Sequence, residues 1–436
     1  MTTASGFWYL RDMRKALFLL AGCLACSSIE AAQPAAPKPK PTEWKVGVAS
    51  LVITPKENLR MSGYAGRKKP AEGKAQDLFA KALALEDKSG QRLVIVTQDL
   101  IGVPQPLRKA IEKRVREKHQ LAPQSLLLNA SHTHCGPVIR TGEPPKDADT
   151  QYELERKYRV ELEDKLFQLV GDALASLAPA NLKYSHARAG FAMNRRRPVD
   201  TGYKNSPYAD GPVDHAVPVL RVEGADGKVR AVLFGYACHN TCLGFYNYCG
   251  DYAGYAQEYF QAMNPGVMGL FLMGCGGDQN PYPRGSGVVP GFTDLQLAQQ
   301  HGRALATAVE AALLANDRPV NGPLRCAYEE IELSYASDKR PSHPYPVQVV
   351  QCGQDLTLVA LGSEVVVDYS LRLKRELAGP AAVWIAGYSN DYTGYVPSLR
   401  VLKEGGYEAQ AGWAETVEER IVNKVRELHR QVNPKN

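Results

Sequence analysis

Two histidines spaced two residues apart, His132 and His134, could hold a transition metal. They lie in residues 129–137, which read N-A-S-H-T-H-C-G-P and directly follow the apolar run of residues 126–128. In extended backbone, side chains two residues apart point to the same side, so both imidazoles can face one cavity at a strand end. Neutral imidazole is the commonest protein ligand for a catalytic transition metal. The competing interpretation is a loop with two polar histidines, and the rest of the chain has to decide between the two.

The same arrangement, a buried strand followed by a sharp turn with a polar side chain, recurs along the chain. Such turns carry, in chain order, His132 with His134, His239, Asp278 with Asn280, Glu364, and Tyr392 with Tyr395. A shared sheet edge would bring these turns together, which makes the set stronger evidence than any single member. Two histidines and a carboxylate suit zinc, which lowers the pKa of water towards ~7 and polarises carbonyl oxygens. That is the chemistry needed to hydrolyse an amide or an ester.

Each of these residues also has an ordinary structural interpretation. Glu364 could be a carboxylate that stabilises a helix N-terminus. Tyr392 could be a packing aromatic, and we favour that interpretation for it. The arginines at 195–197 form either a solvated loop or an anion clamp. We expect the side chains of Arg196 and Arg197 to face solvent. Asp99 is either an outer partner of the site or an ordinary surface or cap aspartate.

The elements that must position these residues follow an α/β pattern. Residues 92–100 predict a buried strand, 105–119 a basic amphipathic helix and 125–130 a second strand, a βαβ-like unit that puts the two histidines beyond a strand's carboxyl end. Further strands are predicted at 45–53, 78–85, 181–189, 217–223, 228–238, 266–273, 324–335 (edge-like), 355–361 and 381–388. Further helices are predicted at 152–177, 254–263, 293–315, from 364 to about 377, and 415–432. We expect one large α/β domain of mixed β-sheets flanked by helices, with the metal site at strand ends.

Composition narrows the class of protein. The chain has 436 residues, 44% of them hydrophobic and 22% charged, enough apolar material for a sizeable core. The net charge of +6 is mild, and no Lys/Arg run stands beside exposed aromatics, so we expect no nucleic-acid partner. Seven cysteines follow residue 32, and local spacing suggests Cys326–Cys352 and Cys242–Cys249 as pairs. Oligomeric state cannot be predicted.

Residues 1–32 are typical of a targeting leader. Basic residues precede the apolar run 16–20, and the L-A-G-C that ends at Cys23 resembles a bacterial lipoprotein box. We expect export, either as a periplasmic or outer-membrane-anchored lipoprotein attached through acylated Cys23, or as a secreted protein cleaved near Ala31 or Ala32. Residues 33–43, rich in Pro, Ala and Lys, predict a tether.

Six motifs together resemble the neutral/alkaline (non-lysosomal) ceramidase family. They read H-T-H-C-G-P, Y-A-C-H-N-T, G-D-Y-A-G-Y-A, G-S-E-V-V-V, N-D-Y-T-G-Y and G-G-Y-E-A, and they run in the family's order between about residues 45 and 420. That family uses zinc to hydrolyse the N-acyl bond of ceramide. The resemblance implies that residues 44–436 form a ceramidase-like catalytic domain. It also implies zinc ligands at His132, His239, Glu364 and Tyr395, a substrate-facing histidine at His134, the arginine of the family's N-R motif at Arg195, and a tyrosine that helps hold the scissile carbonyl at Tyr407.

Two features depart from the family pattern. The family's glycine-rich turn reads G-D-x-S-P, whereas Asn280 stands here in place of the serine, after Asp278. An amide is no nucleophile, but it can position water or donate a hydrogen bond. The family's immunoglobulin-like carboxyl-terminal domain is not expected after the last predicted helix.

These observations lead to one functional hypothesis with two alternatives. We expect an exported, zinc-dependent hydrolase that cleaves a linear amide C–N bond of an N-acyl lipid or related small molecule with zinc-activated water. His134 would shuttle the proton, Arg195 and Tyr407 would stabilise the oxyanion, and Asp278 and Asn280 would order the groups around the metal. The alternatives are a zinc hydrolase of another amide or ester, glycan- or peptide-linked, and a non-catalytic ligand-binding lipoprotein on the same scaffold.

Overall fold

The strands and helices of this computed structural model alternate along the chain. The structure describes residues 42–285, 287–315 and 317–434. The predicted leader and nearly all of the predicted tether lie outside these residues. The strands are β1 (Trp44–Val52), β2 (Gly73–Lys74), β3 (Phe79–Asp87), β4 (Arg92–Gln98), β5 (Leu126–Ala130), β6 (Ala178–Arg188), β7 (Ala192–Val199), β8 (Gly202–Tyr208), β9 (Ala216–Gly224), β10 (Val229–Tyr236), β11 (Asn247–Tyr248), β12 (Met268–Met273), β13 (Gln279–Pro281), β14 (Arg318–Val320), β15 (Leu324–Leu333), β16 (His343–Cys352), β17 (Leu356–Leu361), β18 (Glu364–Val365), β19 (Ala382–Ala386) and β20 (Tyr395–Val396). The helices are α1 (Gln105–His119), α2 (Thr150–Ala175), α3 (Asp251–Met263), α4 (Asp294–Leu314), α5 (Val367–Glu376), α6 (Leu399–Glu404) and α7 (Val417–Val432).

Two sheets face each other in the middle of the molecule. The larger has the order β12-β10-β9-β6-β1-β3-β4-β5, with β14 added beside β6, and the smaller has the order β15-β16-β17-β19. Apolar side chains from both sheets, such as Ile95 and Leu220 from the larger and Leu358 and Trp384 from the smaller, form one shared core. Helices α1 to α4 cover the outer face of the larger sheet, and α5 and α7 cover that of the smaller. The predicted α/β domain of mixed sheets flanked by helices is confirmed as a four-layer arrangement.

The predicted βαβ unit is present and leads directly to the site. Strands β4 and β5 pair in parallel, from Val94 opposite Leu126 to Gln98 opposite Ala130, and α1 connects them. All five residues of β5 are buried, as expected of a strand covered on both faces. His132 therefore begins a turn at the carboxyl end of a buried parallel strand.

The smaller sheet confirms one prediction and adds a strand that the sequence did not reveal. Strand β15 lies at the edge of its sheet, as predicted. Strand β16 was missed because Pro344 and Pro346 interrupt its pattern, and proline in an apolar run argues against a strand.

Two other local expectations are wrong. The arginines at 195–197 do not form a solvated loop: they lie on strand β7, which pairs with β8 in a hairpin that β13 joins as a third strand. The cysteines from Cys135 to Cys352 are all free thiols in the described part of the chain. Cys326 lies opposite Val350 and Cys352 opposite Leu324, a diagonal offset rather than a facing pair. No helix within the described residues is long and apolar enough to cross a bilayer.

Candidate metal centre

The predicted turns meet at one point, where both sheets end. Thr133 forms a bridge to Asn240, which joins the turn after β5 to the turn after β10. Strands β18 and β20 pair in parallel with Glu364 opposite Tyr395. This pairing brings the carboxylate and the tyrosine from the smaller sheet to the histidines from the larger one.

Backbone strain concentrates in these turns. Six described residues other than glycine have positive φ, and four of them belong to the turns around the site: His132, Ser363, Tyr388 and Asn390. Such conformations persist only where the surrounding structure imposes them, and they cluster at functional sites. The turns are therefore built to aim side chains rather than to minimise local energy.

The distances among the predicted ligands fit a metal ion. Glu364 Oε2 lies 3.2 Å from His132 Nε2 and 3.2 Å from His239 Nε2, and Tyr395 Oη lies 3.4 Å from His239 Nε2. Ligand atoms placed at ~2.0–2.1 Å around a tetrahedral zinc are about 3.3–3.4 Å apart. The histidines and the glutamate are buried, and Tyr395 is half-buried. The four predicted ligands thus converge on one point.

The tautomers of the two histidines create a need for a cation. His132 Nδ1 lies 2.6 Å from the carbonyl oxygen of Ile101, and His239 Nδ1 lies 2.6 Å from that of Gly276. A carbonyl only accepts, so each Nδ1 carries the proton. Burial, followed by the charge of Arg195, lowers the pKa of His239 to about 3, so its Nε2 is a bare lone pair. That lone pair faces the carboxylate of Glu364, and a cation between the two acceptors removes the conflict.

His134 belongs to the cluster but is held differently. Its Nε2 lies 3.1 Å from His132 Nε2, and these two histidines with His239 form the group that could hold a metal ion. Its Nδ1 is buried and has no hydrogen-bond partner in the described part of the chain. Metal-binding histidines usually donate this second nitrogen to a carbonyl or carboxylate. His134 therefore lacks the anchoring that marks His132 and His239 as ligands.

Room for the His134 ring comes from a glycine. A Cβ on Gly63, whose φ is +94°, would lie 2.4 Å from the ring. Burial and the neighbouring His132 lower the pKa of His134 well below its ordinary value. The uncharged form of this ring is therefore favoured.

An arginine borders the cluster on its other side. Arg195 Nη1 lies 3.4 Å from His239 Nε2 and 3.3 Å from Asn280 Oδ1, and its Nη2 donates to the carbonyl of Gly277 at 2.7 Å. Its Nε donates to Glu408 Oε1 at 2.8 Å, and this carboxylate also accepts from Arg196 at 2.6 Å. The prediction of a solvent-facing Arg196 is wrong, because the residue is only 3% exposed. Arg197 is exposed, as predicted.

The glycine-rich turn that carries Asp278 holds the backbone of Arg195 in place. Asp278 accepts from the backbone N–H of Val367 at 2.8 Å and from Asn194 Nδ2 at 3.1 Å, and its own carbonyl accepts from the N–H of Arg195. Burial, helped by Asp368, raises the pKa of Asp278 to about 6. Asp278 orders the turns around the site without touching the predicted ligands.

Two tyrosines complete the rim. Tyr407 is 47% exposed, and its ring centroid lies 5.2 Å from that of Tyr395. Tyr392, for which we favoured packing alone, donates its hydroxyl to Glu364 Oε1 at 3.2 Å. Its ring needs Gly102, where a Cβ would lie 2.3 Å away. Its spacing of three residues from Tyr395 was the one available signal.

Asp99 is not an outer partner of the ligands. Its Oδ2 accepts from the backbone N–H of Phe79 at 2.9 Å, and burial raises its pKa. The carboxylate belongs to a separate buried cluster with Lys81.

The fold and the site define a class: an α/β protein with a buried histidine group, at the meeting point of two sheets, that could hold a metal ion. The model of the neutral/alkaline non-lysosomal ceramidase N-terminal region matches residues 44–270, just over half of the chain. The chain belongs to this family.

Relatives and a solved structure agree with this membership. The chain is 25% identical over 273 residues to neutral ceramidase B of Dictyostelium discoideum, covering 56% of this chain and 36% of that protein. It is 25% identical over 245 residues to the neutral ceramidase of Mycobacterium tuberculosis, covering 51% of this chain and 37% of that protein. The matched stretches thus span little more than a third of these relatives. The fold is similar to the crystal structure of neutral ceramidase from Pseudomonas aeruginosa, with a TM-score of 0.74 and 18% identity over 89% of this chain and 74% of that one.

Proposed function

We propose that this protein is a zinc-dependent amidohydrolase that cleaves the amide bond of an N-acyl lipid or a related compound. The observation that carries the proposal is the pair of carbonyl-anchored imidazoles whose free nitrogens face one carboxylate oxygen, each at 3.2 Å. Nitrogen and oxygen donors at this spacing suit zinc. Zinc held there would supply a Lewis acid and make water a nucleophile at neutral pH.

The residues of the chain divide the remaining work. His132, His239, Glu364 and Tyr395 hold the ion. His134, whose Nδ1 has no hydrogen-bond partner among the described residues, takes and returns the proton.

The guanidinium of Arg195 and the hydroxyl of Tyr407 bind the negative oxygen that develops on the carbonyl. Asn280, whose Oδ1 accepts from Arg195, stands where the family's serine would be. Asp278 holds the turn beneath them.

The test combines metal content with kinetics on a panel of N-acyl amides and esters. The wild-type chain should bind one zinc and hydrolyse an N-acyl amide. His134→Ala should keep the zinc while kcat falls by roughly 10²–10⁴-fold. Full activity after the metal has been stripped, or loss of zinc from the His134 variant, would contradict these roles.

The Asn280 position favours a second candidate, a zinc hydrolase of a different amide or an ester. Esters cleaved faster than every amide in the panel would select it. If the chain does not bind zinc and does not turn over any substrate in the panel, the result would instead favour the non-catalytic ligand-binding lipoprotein.

We also propose export of this domain, with Cys23 as the site of lipid attachment. The L-A-G-C sequence supports this assignment. Metabolic labelling with a fatty acid should modify the wild-type chain and not Cys23→Ser. Release of an unlabelled wild-type chain into the medium would select secretion instead.

A further inference from the structure

A small polar recess lies between the β7–β8 hairpin and the turn that follows β13. Its polar lining includes Asn194, Arg195, Asn205, Ser206, Asn280 and Arg284. Its volume of about 60 Å³ holds roughly four water molecules at the ~10–15 Å³ that each requires. A long acyl chain does not fit, whereas a compact polar group does.

The recess shares a wall with the metal centre. Arg195 and Asn280 line it, and Arg195 Nη1 lies 3.4 Å from His239 Nε2. For a substrate amide at the metal centre, the recess is an adjoining space that one of the attached groups can occupy. Because the acyl chain is excluded by size, the occupant is the group on the amine side of the scissile bond.

Charge decides what that group is. The lining holds two guanidinium groups and no carboxylate. Glu408 pairs with Arg195, but no Asp or Glu among the described residues forms an ion pair with Arg284. Arg284 Nη1 donates to the carbonyl of Thr241 at 3.2 Å, which ties the guanidinium to the turn after His239. The recess therefore carries the positive charge of Arg284, which no carboxylate of the described residues pairs with.

The amide of Asn280 adds a donor beside that charge. Its Oδ1 accepts from Arg195 Nη1 at 3.3 Å and lies 3.5 Å from Thr241 Oγ1. With the oxygen turned towards donors, Nδ2 is the atom left to donate, and it has no partner among the described residues. A guanidinium and an amide N–H together suit the oxygens of a carboxylate or phosphate.

We infer that the recess binds a small anionic group on the amine side of the substrate, so that the preferred substrates are anionic N-acyl amides rather than neutral ones. The inference rests on the proposed amide hydrolysis. The anion is a carboxylate in an N-acyl amino acid and a phosphate in an N-acyl phosphoethanolamine. Arg284 is the specificity-determining residue.

The kinetic test compares three octanoyl amides with the zinc-loaded full-length chain. N-octanoylglycine and N-octanoyl-O-phosphoethanolamine carry the two anions, and N-octanoylethanolamine is neutral. We expect kcat/KM to favour at least one anionic amide over the neutral one by about 10- to 100-fold, the usual weight of a charge-assisted hydrogen bond. The anionic amide that is favoured more strongly identifies the group.

Variants assign that preference to the recess. Arg284→Gln should reduce the ratio of anionic to neutral kcat/KM by about 10- to 100-fold, and Arg284→Lys should restore part of it. Arg303→Gln, the same substitution at an exposed arginine on α4, should leave the ratio unchanged. A preference for the neutral amide, or a ratio unaffected by Arg284→Gln, overturns the inference while amide hydrolysis stands.

A binding measurement separates this inference from the proposed function. Calorimetry on the metal-free chain should show tighter binding of the favoured anionic amide than of N-octanoylethanolamine, and Arg284→Gln should abolish the difference. If no amide is hydrolysed but this Arg284-dependent binding is present, the proposed function is wrong and the anion-binding role of the recess is confirmed. Equal binding of all three compounds overturns the recess.

Discussion

The metal centre and a second buried cluster, around Lys81 and Asp99, hold polar groups in the interior in opposite ways. Lys81 is 4% exposed, and its Nζ donates to the carbonyl of Gly269 at 2.7 Å and to Gln261 Oε1 at 3.0 Å. Burial lowers the pKa of this ammonium to about 8, and the charge of the Asp99 carboxylate opposes the shift. In this cluster the chain itself supplies the cation.

The metal centre supplies acceptors instead. The free nitrogens of His132 and His239 and the oxygen of Glu364 face one another at 3.2 Å, and a neutral imidazole lone pair cannot donate to a carboxylate. Three acceptors that face one another, none of which can donate to the others, mark a place for a cation. A buried charge with its partners in place, as at Lys81, does not.

The largest effect should follow removal of one acceptor from the metal centre. His132→Ala should lose zinc and activity together, because even an outer partner of a metal ligand costs roughly 10–100-fold in affinity and a ligand costs more. Zinc content and a competitive zinc titration measure the loss. His186→Ala, at an exposed histidine, is the matched control. If the His132 variant bound zinc as tightly as the wild type, His132 would not be a zinc ligand and the contrast with the Lys81 cluster would be wrong.

The next largest effect should follow the loss of Glu408, the carboxylate that balances two buried arginines. Glu408 is buried between Arg195 and Arg196, so Glu408→Gln should lower the free energy of unfolding by about 3–5 kcal/mol. Urea denaturation measures this, with Glu427→Gln at an exposed position as the control. An unchanged midpoint would mean that the arginines do not depend on their carboxylate.

The burial of Lys81 should make the free energy of unfolding depend on pH. Burial lowers the pKa of Lys81 to about 8, against ~10.4 in an unfolded chain, so between these values the unfolded chain binds the extra proton. The stability of the wild type relative to Lys81→Met should therefore rise by about 2–3 kcal/mol from pH 8 to pH 10.5 and stay level below pH 8. Denaturation of both proteins across this range measures the difference. A flat difference above pH 8 would contradict the assignment.

The smallest effect should come from Tyr392. Tyr392→Phe removes the hydroxyl that bonds to Glu364 and keeps the ring in its slot beside Gly102, so zinc affinity should fall by about 10-fold with the fold intact. Competitive titration with a chelator measures the change. An unchanged affinity would return Tyr392 to a packing role.

The sequence predicted what local pattern determines. The bounds of α1 agree with the predicted helix, and the ligand turns were found because each follows an apolar strand. The burial of Arg196 was missed because the compensating carboxylate of Glu408 lies 212 residues away in the chain. The hydrogen bond from Tyr392 to Glu364 depends in the same way on a contact between distant turns. Folding, not spacing, brings these charges together.

The most direct test of the central claim is anomalous diffraction at the zinc edge from crystals of the zinc-loaded chain. We expect one zinc peak at ~2.0–2.1 Å from Nε2 of His132, Nε2 of His239 and a carboxylate oxygen of Glu364. A zinc peak away from these three side chains, or none under saturating zinc, would contradict the account.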